Sequence, residues 1–255
     1  MNAWRLRLGV AGSLLAAAAT AAAAGVEIYP SGAQVPENLM RIEVRLPKPL
    51  YRPLDMTHVT LQDASGHTIA EPFLDLPLPS ADGRRIAILM HPGRVKSGVG
   101  PNLMVGRALH AGQEVTLVID DPAIGAPVRK TWQISAFDES RPAAANWTFE
   151  PPKAGTRQPL IVHLQAPISA ASEGLIAVRG LDGQRLAGRV ALADGESSWR
   201  FVPAKPWQAG HYGIVAHPDL ENPAGNRSCA DFEQVQGSQA ACTQEQERAF
   251  EVMKP

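Results

Sequence analysis

The stretch DLENPAGNRSC, residues 219–229, gathers three kinds of chemistry in one loop: hard oxygen ligands, a turn and a cysteine. Asp219, Glu221 and Asn222 carry the side-chain oxygens that calcium takes, yet a calcium loop needs further oxygens at fixed positions, and the D-x-[DN]-x-[DN]-G spacing is not met. Turn chemistry explains every residue. Pro223 presets φ, Gly225 or Asn226 tolerates the left-handed conformation, and the chain reverses towards a last strand. The stretch is read as a turn, with calcium at Asp219, Glu221 and Asn222 as the alternative. Asp120 and Asp121 raise the same question at an earlier strand end. Adjacent carboxylates on a strand point to opposite faces, so a solvated loop is expected there.

Other reactive types are scattered. The seven histidines form neither H-x-x-x-H nor H-E-x-x-H, and alternation turns His163 and His211 outward. Met90 and His91 pair a thioether with an imidazole, which suits copper, and they are the candidate set for that metal. The segments KSGVG and AASEG do not match the G-x-S-x-G elbow of a serine hydrolase. No catalytic set and no cofactor-binding motif emerges, so the chain is read as a non-enzyme without a cofactor. Trp147, Trp199 and Trp207 could stack on a sugar, but Trp199 alternates with Phe201 as a core pair does. Asn146-Trp-Thr and Asn226-Arg-Ser have the form of glycosylation sequons and are read as coincidences.

Cys229 and Cys242 are the two cysteines of the chain. An even pair in an exported protein forms and keeps a disulfide. Bridging them would close a loop of about 14 residues and contribute roughly 3 kcal/mol in the chain-entropy model.

Export itself is read from the start of the chain. Arg5 and Arg7 precede an Ala/Leu/Val run that ends in small residues before Gly25, the pattern of a secretory signal peptide over residues 1–24. Its removal takes two positive charges from a chain of net charge −1, leaving −3. There is no basic footprint for nucleic acid, and no later apolar stretch is long enough to span a bilayer. The expected location is periplasmic or secreted, with a protein or envelope partner.

The elements that must position these residues are strands. Gly and Pro number 22 each, a density that rules out long helices. In MRIEVRLP, Ile42, Val44 and Leu46 face one way and Arg41, Glu43 and Arg45 the other, the mark of a half-buried antiparallel strand. RRIAILMH, EVTLVID and TWQISAF read likewise. The same order of signals recurs after residue 150: QPLIVHLQAPI answers NLMRIEVRLPKPL, and IAVRGLDGQRLAG answers VTLQDASGHTIAE. SSWRFVPAKPWQAGHYGIVA then answers RRIAILMHPGRV through ALHAGQEVTLVID, the first copy carrying a longer insertion, and AGNR…ERAFEV answers IGAPVRKTWQISAF. A period of roughly 120 residues is too long for a solenoid and fits two copies of one domain. The expected division is domain 1 at 25–137, a linker at 138–147 and domain 2 at 148–255.

VPENLMRIEV, PGRVKSGVGPN, AGQEVTLVID and DLENPAGNR…AFEV together resemble the bacterial Ig-like domains of S-layer and other surface proteins. The first copy departs from that pattern, with DPAIGAP where the Gly-Asn would stand. The resemblance implies two tandem immunoglobulin-like antiparallel β-sandwiches and a role as spacer, adhesion module or enzyme accessory, without shared catalytic residues. The expected function is an exported, non-catalytic binding or structural module of the bacterial envelope, docking partners through edge strands and the groove between domains. A periplasmic metal-binding or chaperone-like protein is the alternative, and an enzyme with an interdomain site a third.

Overall fold

Alternation becomes strand pairing throughout the computed structural model, which describes residues 25–96, 100–232 and 243–254. The signal segment 1–24 and Cys242 lie outside those residues. The first half contains β1 (Glu27–Tyr29), β2 (Gln34–Pro36), β3 (Arg41–Arg45), β4 (Val59–Asp63), β5 (Leu78–Pro79), β6 (Arg85–Leu89), β7 (Glu114–Ile119) and β8 (Val128–Ser135). They form two sheets in the orders β1-β3-β6-β5 and β2-β8-β7-β4. Register is set by the apolar face: Ile42 lies opposite Ile88, Val44 opposite Ile86 and Val115 opposite Trp132. These inner faces close on one core that includes Leu117 and Ile134.

The second half contains β9 (Thr148–Phe149), β10 (Leu160–His163), β11 (Ile176–Arg179), β12 (Gly188–Ala193), β13 (Ser198–Pro203), β14 (Gly210–Ala216) and β15 (Gln246–Val252). Its sheets run β12-β13-β10-β9 and β11-β14-β15. A separate core forms between them, in which Trp199 and Phe201 stack at 5.9 Å and Trp207 meets Tyr212 edge-on at 5.3 Å. Trp147 is buried in the same core. Tyr212 donates from its hydroxyl to the Gln208 carbonyl at 3.1 Å. This is the tyrosine corner of immunoglobulin-type sandwiches, and four strands facing three is their constant-type layout. The chain is all-β, two immunoglobulin-like sandwiches in tandem.

The repeat read in the sequence maps strand on strand: β3 with β10, β4 with β11, β6 and β7 with β13 and β14, and β8 with β15. The longer insertion between β6 and β7 holds two short helices, α1 (Pro92–Val95) and α2 (Gly100–Val105). The first sandwich also has an eighth strand, β2, running parallel to the edge of β8. The matching segment of the second passes through Pro151 and Pro152, which have no N–H to give a ladder.

Two sequence expectations are overturned. Glu43, placed outward by alternation, is only 6 % exposed, because the second sandwich covers that face of β3. Asp121, expected in a solvated loop, is fully buried, whereas Asp120 is exposed. Its carboxylate accepts from the N–H groups of Ala123 at 2.8 Å and Asp55 at 3.1 Å, and pairs with Arg52. Burial pushes this carboxyl upward, but the two N–H donors and then Arg52 outweigh it and hold it below the ordinary carboxylate range.

A carboxyl depressed on folding stabilises above its unfolded pKa, about 3.9, and that contribution fades as pH falls through the lower folded value. Asp121→Asn should therefore cost about 2 kcal/mol at neutral pH and remove part of the acid-side decline. Urea unfolding midpoints measured across the acid range check both effects.

Candidate functional site

The residues singled out at 219–229 lie where the two sandwiches meet. Three connections at one end of the second sandwich press on the β1 and β3 face of the first. The turn between β12 and β13 carries Asp194, Gly195 and Glu196 with φ of 53°, 61° and 64°. Three left-handed residues in a row, two of them with side chains, store strain that surrounding contacts must hold. The contacts are there: Glu196 is 1 % exposed and accepts from the backbone N–H of Ser31 at 3.0 Å and from its hydroxyl.

The second connection is the helical turn Ala170–Leu175 between β10 and β11. Arg45 donates to the Ala170 carbonyl at 3.3 Å, lies 3.4 Å from Glu173, and bonds Glu43 at 2.8 Å on its own strand. The guanidinium also sits 4.3 Å from the Tyr29 ring centroid. Burial, the largest influence, carries the Tyr29 hydroxyl up to about 12 in spite of that cation. Burial lowers the pKa of Arg41 on the same face, with Glu43 opposing.

The third connection joins β14 to β15 and contains the candidate turn. Glu221 pairs with Arg41, and the Met40 N–H donates to the Pro223 carbonyl at 3.0 Å. Asn222 is 2 % exposed and donates to the Asp138 carboxylate at 3.0 Å and the Ser140 carbonyl at 2.9 Å. Its side-chain oxygen accepts from the Asn226 N–H at 2.9 Å. Asn226 adds a bond to the Asp138 carbonyl at 2.9 Å. From the other side Asn38 donates to that carbonyl at 3.0 Å and accepts from the Asp138 N–H at 2.9 Å. Asp138 is thereby held by side chains from both sandwiches.

The calcium candidates are thus drawn to three different partners. Asp219 pairs with Arg227 at 2.9 Å and lies 3.5 Å from His217, Glu221 turns to Arg41, and Asn222 to the Asp138 segment. Met90 lies in the first core, while the Nδ1 of His91 accepts from the Gly93 N–H at 3.1 Å and caps α1. Among the described residues no group of three or more His, Cys, Asp or Glu side chains is placed to hold a metal. Cys229 is exposed and is not a free thiol. Asn226 of the second sequon is buried in the junction. A groove of about 310 Å³ on the second sandwich is lined by Ala177, Arg179, Arg185, Val215 and His217, but Arg179 is already held by Glu245 and Glu247.

No protein-family model matches the chain, and no curated protein matches it in sequence. Solved structures that resemble it are multi-domain immunoglobulin chains. A chimeric titin Z1Z2 carrying a decorin peptide is 10% identical, with 87% of this chain and 91% of that one covered at a TM-score of 0.29. The titin Z1Z2 domains in complex with telethonin are 12% identical over 87% and 91%, at 0.25. Murine CEACAM1b is 12% identical over 91% and 99%, at 0.24. Scores this low carry no weight for fold or function, and the immunoglobulin-like assignment stands on strand order, register and the tyrosine corner.

Sequence reasoning missed Ser31, Asn38, Arg41, Arg45, Asp138 and Glu196, which build the junction. A signal was present in the ADG shared by residues 81–83 and 193–195, which marks the same turn in both copies. Gly225 is the sharpest probe of the junction. It has φ +80°, and a Cβ there would stand 2.4 Å from the Met40 sulfur. Gly225→Ala should destabilise by at least about 1 kcal/mol through backbone strain alone. Chemical denaturation would show a lowered midpoint, and an unchanged one would mean that the turn is not held against Met40.

Proposed function

We propose that this is an exported, non-catalytic structural and binding module of the bacterial cell envelope that sets two immunoglobulin-like sandwiches at a fixed angle. The reading includes the surface-protein family that the motifs resemble, a periplasmic or secreted location, and domains at 25–137 and 148–255 joined through 138–147. Among the described residues no helix is long and apolar enough to cross a membrane.

The observation that carries it is the fate of the loops at the end of the second sandwich. In variable immunoglobulin domains, three loops at one end of the sandwich form a binding site. In this chain three end connections of the second sandwich are spent on the first, through Glu196, Glu173 and Glu221. What that arrangement delivers is geometry: two rigid bodies joined by buried hydrogen bonds rather than by a flexible tether. Interfaces between domains of one chain otherwise permit relative motion by default.

A spin label on the outer face of each sandwich should report one narrow distance distribution in the full chain. Arg45→Ala combined with Glu196→Ala should broaden it, while the near-ultraviolet circular dichroism of the two cores stays in place. A broad distribution in the unaltered protein would refute the fixed elbow.

The proposal also includes a bond between Cys229 and Cys242, which would staple the end of the connection that carries the junction turn. Labelling the unreduced, denatured protein with a thiol reagent should then find no free cysteine. Two labelled cysteines would refute the bridge.

A further inference from the structure

The two copies differ on the side where β4 and β11 are edge strands. Two pairs of backbone bonds mark equivalent points in them. The Ile69 N–H donates to the Leu61 carbonyl at 2.8 Å as Leu186 does to Val178 at 2.7 Å, and the His91 N–H donates to Pro72 at 2.8 Å as Ala204 does to Ala187 at 2.8 Å. Between these anchors the second copy has no residue, and the chain passes straight into β12. The first copy has two, Ala70 and Glu71, and Glu71 is left-handed at φ 45°. A residue with a side chain stays in that region only where its surroundings hold it. Here the next segment is held along the end of β6, with Phe73 paired to Met90 and the Leu74 N–H on the Leu89 carbonyl at 2.9 Å. A groove of about 230 Å³ lies between this segment and the start of β4. Met56, Val59, Phe73 and Leu74 line it with apolar surface, and Glu71 and Asp75 are its charged residues. Both are exposed, and among the described residues neither carboxylate has a hydrogen-bond or ion-pair partner. No lysine or arginine lines the groove. The adjoining histidines are engaged elsewhere, His58 lying 4.0 Å from Asp55 and His91 capping α1.

We propose that this groove docks an extended segment of a partner protein through a lysine or arginine side chain, whose stem lies on the apolar lining and whose cationic head reaches Glu71 and Asp75. Long basic side chains bury their methylenes on apolar surface while the charge stays at the rim. The groove offers that combination, with two carboxylates that no cation of the chain answers. A small amine would meet the same carboxylates. What favours a polypeptide is that apolar surface continues past the groove: Leu76 and Leu78, directly after Asp75, are 55% and 44% exposed, room for the residues on either side of the basic one. This assignment rests on the reading of the protein as a binding module and gives the chemistry of its partner.

The full chain, labelled with nitrogen-15, can be titrated with a soluble octapeptide of lysine, leucine and serine, with the same peptide carrying glutamine in place of lysine, and with butylamine. The lysine peptide should shift the amide signals of residues 71–78 to saturation, and the shifts should retreat as salt rises. Glu71→Gln combined with Asp75→Asn should raise its Kd at least about fivefold, with signals elsewhere in place to show that the variant is folded. Leu76→Ser with Leu78→Ser should weaken the peptide and leave the butylamine shifts unchanged. Absence of shifts, an equal response to the glutamine peptide, or a Kd indifferent to the carboxylate variant would each overturn the proposal. Butylamine binding as tightly as the peptide would overturn the polypeptide partner and mark a small-amine site. A single narrow interdomain distance in a protein that ignores the peptide would leave the fixed elbow standing without this partner.

Discussion

The structure hangs on the way Asp138 is held. Its backbone is bonded by the Asn38 amide of the first sandwich and by the Asn226 amide of the second, while its carboxylate receives Asn222. Asn38, Asn222 and Asn226 are all less than 5 % exposed, and a buried amide without partners is costly. Asn38 from one sandwich and Asn222 and Asn226 from the other all find their partners on this one linking segment. The chain between the two cores is therefore part of a single buried hydrogen-bond network, and the angle between the sandwiches follows from it.

Around this centre the contacts are mixed in kind. Arg41 and Arg45 reach three glutamates of both sandwiches, and Arg45 also lies over the Tyr29 ring. Ion pairs as buried as these lose to desolvation much of what their attraction gains. Their value here is orientation, because planar guanidinium groups with several partners tolerate few relative positions. Backbone contacts such as Met40 to Pro223 and the close approach at Gly225 then fix the distance.

Much of the fold was legible because strand alternation and turn residues are local signals. The apolar faces of β3, β6 and β7 and the Trp199–Phe201 pair lie inside as their spacing indicates, and the internal repeat matches in every strand except β2. Glu43 and Asp121 were misread for a shared reason. A charged residue at an outward position, or beside a turn proline, looks solvated until something covers it, and what covers Glu43 lies about 130 residues further along the chain, in the β10–β11 connection. The candidate turn was located correctly as a turn. That its amide faces the segment linking the two sandwiches could not be read from residues 219–229, since Asn38 and Asp138 carry no local signature of their partner.

Asp121 and Asn222 each precede a Pro-Ala pair in the last connection of their sandwich. A carboxylate can only accept, so Asp121 gathers N–H groups and an arginine from its own domain and closes that end on itself. An amide both accepts and donates, so Asn222 can satisfy its own turn with oxygen and still offer nitrogen to the neighbouring chain segment. Exchanging one oxygen for an NH₂ group thus separates two uses of a duplicated scaffold: one copy ends in a self-contained cap, the other in a joint.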